Sequence, residues 1–110
     1  MTNLELLIES VEKRLPISFH YNKPGKTEGV RIGNVHSIYV FKAIGGAEST
    51  KADIYQTNGA SDTADNGDFP FWRPFNIEYV TEVKILEDLG QFEVADGYNP
   101  DSYDKPIAKI

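Results

Sequence analysis

Apolar positions fall on two different periods along the chain, and the change of period divides it. Leu4, Leu7, Ile8, Val11 and Leu15 recur at helical spacing, with Glu5, Glu9, Glu12 and Lys13 on the opposite face. Thr2 and Glu5 have the spacing of a capping box, and Pro16 ends the pattern, so a helix is expected over 3–15. Its apolar stripe needs a partner surface further along the chain.

From Ile17 the period becomes two. Ile17, Phe19 and Tyr21 alternate with Ser18 and His20, a half-buried strand closed by the turn residues Asn22, Lys23, Pro24 and Gly25. Val30 to Ala43 exceeds the usual strand length of about 5–6 residues, and Gly33 inside it marks a bend or bulge. Ala52–Thr57, Phe71–Glu78 and Thr81–Leu86 complete five strands. Pro74 removes a backbone donor, which puts the fourth strand at an edge or a bulge. Asn58 to Pro70 is a polar connection, longer than most loops and placed to act as a lid. After residue 86, aromatics alternate with acids, and Pro100 and Pro106 interrupt any regular element. An irregular acidic tail over 87–110 is expected to lie across the body, pinned by Phe92 and Tyr98.

This order predicts a mainly β (α+β) fold in a single domain, 1–110. An N-terminal helix precedes a five-stranded small barrel of the SH3-like or Sm-like kind over 17–86. A chain of 110 residues suffices for one modest core.

Composition narrows the chemistry. Without cysteine there are no disulfides, thiolate metal sites or cysteine nucleophiles, which suits a reducing, cytoplasmic setting. No apolar run approaches the roughly 20 residues of a membrane span, and the acidic N-terminus is unlike a secretion signal. The net charge of −6 is uneven: residues 1–51 balance at +2 and residues 52–110 at −8. That distribution opposes coating of duplex DNA, because phosphate neutralisation by Lys and Arg supplies nearly all non-specific affinity. A local basic patch remains compatible with it.

The run Asp62 to Asp68 resembles a calcium loop, but Ala64 and Arg73 stand where oxygen ligands are needed. His20 and His36 alone make a poor metal site. Ser61 has no nucleophile-elbow context, and Gly45-Gly46 lacks the lysine of a phosphate loop. No nucleophile–base set appears, so neither an enzyme nor a cofactor is expected. Arg31 and Arg73 offer planar donor forks for phosphate or carboxylate, and Trp72, Tyr55 and Tyr21 offer stacking surfaces. The competing reading is that Trp72 and Phe75 are core and the arginines pair with acids such as Glu28 or Asp53.

Ile54-Tyr55-Gln56, Gly59-Ala60-Ser61 and Trp72-Arg73-Pro74-Phe75, with Ile17 to Tyr21 and Arg31, together resemble the WYL domain in its short standalone versions. The likeness spans Leu7 to about Phe92. It implies an Sm-like barrel that senses nucleotide-like or nucleic-acid ligands through strand arginines and aromatics. Carried to matching positions, it points to Tyr21, Arg31, Tyr55, Gln56, Trp72, Arg73 and Phe75. The naming tripeptide is replaced by Asp53-Ile54-Tyr55, and a single helix precedes the barrel, so a transcription-factor role is not implied. The expected partner is a small anionic or nucleotide-like ligand. Single-stranded nucleic acid, disfavoured by net charge, and pairing of a barrel edge with a second copy are the alternatives.

Overall fold

The computed structural model describes residues 1–61 and 69–110. The run from Asp62 to Asp68, which fails as a calcium loop, and most of the expected lid lie outside the described residues.

The helix α1 spans Asn3–Lys13 and starts on the expected capping box. The Glu5 N–H donates to Thr2 Oγ1 at 3.1 Å, and the Thr2 N–H donates to Glu5 Oε1 at 3.0 Å. Arg14 closes it in the left-handed region, with φ 53°. Leu7 and Val11 are buried against the sheet, as the stripe requires.

Among the described residues six antiparallel strands follow: β1 (Ile17–Tyr21), β2 (Val30–Lys42), β3 (Glu48–Gly59), β4 (Phe71–Asn76), β5 (Val80–Ile85) and β6 (Pro106–Lys109). The order is β4-β3-β2-β1-β5, and β6 pairs with β2. This sheet corrects the expected five-stranded closed barrel in two respects. First, among the described residues the ends do not pair: β4 and β5 are both terminal. Pro74 has no N–H to donate, and after Asn76 the chain turns through a 3-10 segment, Ile77–Tyr79, into β5. Second, the tail is not wholly irregular. Strand β1 covers β2 only from Val30 to Gly33, and β6 covers it from Ser37 to Tyr39, so one long strand is served by two short ones.

The core lies between α1 and the inner sheet face, around Leu7, Ile17, Phe19, Val35, Ile38, Ile54 and Phe75, all at 0% exposure. Two bulges bend β2 against β3. One lies beside Gly33, where a Cβ would come within 2.6 Å of the Ile54 side chain; this is the bend expected there. The other is at His36, between the pairs Val35↔Ile54 and Ser37↔Asp53. Val35 and Ile38 are three residues apart, out of phase for a strict period of two. The extra residue restores phase, returning Ile38 to the core and leaving His36 and Ser37 on the outer face.

At the open seam, side chains replace the missing ladder. The Asn76 N–H donates to Tyr21 Oη at 3.1 Å, and the Tyr21 ring meets Phe75 edge-on at 4.8 Å. Phe75 also meets Phe19 edge-on at 5.1 Å.

Candidate functional site

Strand β4 separates two cavities. The first, about 400 Å³, opens at the seam and is lined by Tyr21 from β1, Lys23 and Lys26 from the following turn, Arg31 from β2, Lys51 from β3 and 72–76 from β4. Five of the chain's eleven Lys and Arg residues therefore face one cleft, and no acid lines it among the described residues. The register explains the convergence. Arg31 pairs with Phe19 across β1 and points inward, where it is fully buried. Its Nη2 donates to the Thr27 carbonyl at 2.9 Å, and its guanidinium carbon lies 5.7 Å from the Tyr21 ring centre and 5.5 Å from that of Phe75. A cation held between ring faces is partly compensated for lost hydration.

Tyr21, Arg31, Trp72, Arg73 and Phe75 of the expected set thus come together. Tyr55 and Gln56 do not join them. Gln56 is buried and braces the end of β3, its Nε2 donating to the carbonyls of Asn58 (3.1 Å) and Ala60 (2.8 Å). Tyr55 is on the outer face beside Trp72, with ring centres 5.1 Å apart. Phe75 forms the floor of the cleft as a core residue, and Arg73 stacks over Phe71 with its guanidinium carbon 5.2 Å from the ring centre.

The second cavity, about 370 Å³, lies on the outer face beneath the tail, between Tyr39, Asp53, Trp72, Pro74, Tyr98 and Tyr103. Its roof is anchored on His36, whose residue type by itself suggests only a poor metal ligand. The Ala95 N–H donates to His36 Nε2 at 3.0 Å, so the ring proton is on Nδ1, which lies 2.9 Å from the Asn34 carbonyl it donates to. The His36 carbonyl accepts from the Ile110 N–H (3.1 Å) and from Tyr98 Oη (3.2 Å). Rings of Trp72, Phe92 and Tyr98 surround it at 4.6, 5.0 and 5.2 Å. Burial holds the imidazole below its ordinary pKa, against the Asn34 hydrogen bond and the Asp53 charge. Phe92 and Tyr98 do pin the tail, as expected: Phe92 is buried, with its N–H donating to the Arg14 carbonyl at 2.9 Å.

Asp53 was expected, if anything, to pair with an arginine. Instead its Oδ1 accepts from Tyr39 Oη and its Oδ2 from Tyr103 Oη, each at 2.7 Å. The out-of-phase Val35 and Ile38 were the signal that could have singled out the His36 bulge. Comparison with family models, curated proteins and solved structures gave no match for this chain.

Proposed function

We propose that the protein is a non-enzymatic binding domain whose seam cleft takes a small anionic or nucleotide-like ligand. One observation carries this reading: Lys23, Lys26, Arg31, Lys51 and Arg73 line one cleft in a chain of net charge −6. In an acidic protein, clustered cations hold the local potential positive and draw anions to one place. Guanidinium forks suit phosphate or carboxylate oxygens, and Trp72 at the rim offers a face for a planar group. The resemblance to WYL domains supports the same ligand class.

Lys26, Arg31 and Arg73 also have partners within the chain. Lys23 is therefore the cleanest probe. Calorimetric titration with orthophosphate, AMP, ADP and cyclic AMP is expected to give saturable binding that weakens as salt rises, and Lys23→Ala is expected to weaken it further. Silence from all four ligands at low salt defeats the proposal. Tighter binding of a short single-stranded oligonucleotide than of any mononucleotide would transfer the cleft to nucleic acid.

A further inference from the structure

The cavity beneath the tail has the opposite chemistry. Tyr39, Trp72, Tyr98 and Tyr103 give it four aromatic rings, and Asp53 is the one acid in its lining among the described residues. The rings form a continuous wall: Trp72 to Tyr98 is 6.1 Å between centres, Tyr98 to Tyr103 is 6.4 Å and Tyr103 to Tyr39 is 4.7 Å. Among the described residues no Lys, Arg or His comes within ion-pair distance of Asp53, whose two oxygens accept from tyrosine hydroxyls.

Arg73 touches this cavity from the other side of β4. Its guanidinium is over Phe71, two residues away on the same strand face, whereas Trp72 and Pro74 pair with Tyr55 and Asp53 on the outer face. The tail that covers the cavity is acidic overall: residues 87–110 hold six Asp and Glu against two Lys. Burial, then the hydrogen bond and charge of Asp53, push the Tyr103 hydroxyl up to about 12, so it stays a donor to a charged carboxylate.

We infer that this cavity binds an organic ammonium group, of the kind carried by choline or by a methylated lysine side chain, with the aromatic rings facing the cation and Asp53 as its counter-charge. Ring faces are negative in their quadrupole and attract weakly hydrated cations. Because each Asp53 oxygen already accepts one hydrogen bond, a methylated ammonium, which asks only for charge and surface, fits better than a primary amine. An anion is disfavoured by both Asp53 and the tail. The inference rests on different groups from the seam cleft: Trp72, Arg73 and Pro74 line both cavities, but Asp53, Tyr39, Tyr98 and Tyr103 line only this one.

The test is calorimetry on the full chain with choline, with its uncharged isostere 3,3-dimethylbutan-1-ol and with a peptide bearing trimethyllysine. Emission of Trp72, the only tryptophan, provides a second readout. Choline or the peptide is expected to bind saturably, with the isostere at least about tenfold weaker. Asp53→Asn, which keeps the side-chain shape, is expected to lose about tenfold, and Lys23→Ala to leave choline binding within about twofold. Preference for the peptide identifies a polypeptide source of the ammonium group, and preference for choline a small molecule. Equal binding of choline and its isostere overturns the inference, as does unchanged affinity in Asp53→Asn or the absence of heat and emission change with both cations up to about 50 mM. If Asp53→Asn does not fold, the comparison of choline with its isostere on the unaltered protein decides alone.

Discussion

The seam cleft and the cavity beneath the tail share Trp72, Arg73 and Pro74, yet they are built in different ways. The cleft is made where the sheet fails to close, and its floor is core: Arg31 and Phe75 are fully buried and Tyr21 nearly so. The cavity is made where a tail is laid over an outer sheet face, and hydrogen bonds at His36 and Asp53 hold its roof. A site whose floor is core cannot be disturbed without threatening the fold, whereas a site under a strapped tail can open while the sheet stays intact.

The largest separation of the two regions should come from Phe75→Ala. The ring is fully buried and packs edge-on against Phe19 and Tyr21, so its loss should cost about 3–5 kcal/mol and lower the urea midpoint of the whole domain. Loss of binding at the cleft with an unchanged midpoint would contradict the core role of this residue. His36→Ala is the counterpart on the other side. Removing two hydrogen bonds and a buried ring should cost about 2 kcal/mol. Hydrogen exchange at Ala95, which loses its acceptor, should accelerate by more than at Ile32 or Ile54 in the sheet. Uniform acceleration across the chain would mean that the tail and sheet open together.

This contrast also marks what could be read from the sequence. Helix α1 was legible because capping, period and the Pro16 stop all act within a few residues of each other. The bend at Gly33 and the edge position of Pro74 were legible for the same reason, since each follows from one residue's backbone limits. The strand β6 was not, because Pro106 to Lys109 has little strand character of its own. It pairs only because β1 leaves the edge of β2 uncovered past Gly33. Closure of the barrel was not legible either: strand count says nothing about whether the end strands meet, and here they do not pair among the described residues. Arg31, Trp72 and Arg73, which stand out by residue type, line one cleft. Gln56 looked functional by type, yet its amide is spent on the Asn58 and Ala60 carbonyls. The place of Asp53 beneath the tail was not legible, because its partners, Tyr39 and Tyr103, lie 14 and 50 residues away.

A pH dependence sharpens the comparison further. His36 is neutral in the fold, its Nε2 accepts a hydrogen bond, and burial lowers its pKa, outweighing the Asn34 carbonyl and the Asp53 charge, which raise it. The unfolded chain, with an ordinary imidazole near 6.5, therefore binds the proton more readily. The contribution is fully present above pH 6.5 and is lost as pH falls from there toward the lower folded value. Thermal melts between pH 7.5 and 5 should show this slope, and His36→Gln should flatten it. A slope that survives in the variant would assign it to other groups.

The smallest effect on stability belongs to the seam. Lys23 is half-buried in the turn after β1, and substitution at such a turn position outside the core should change stability by no more than about 0.5 kcal/mol. Lys23→Ala therefore separates charge from structure: the urea midpoint should hold while anion affinity falls and its dependence on salt becomes shallower. Tyr103→Phe, in the cavity, should behave in the reverse sense. Removing one hydroxyl from Asp53 should cost about 1 kcal/mol, while affinity for anions at the seam should not change. If both substitutions alter anion binding equally, the cavities act as one site across Trp72, and the division made by β4 fails.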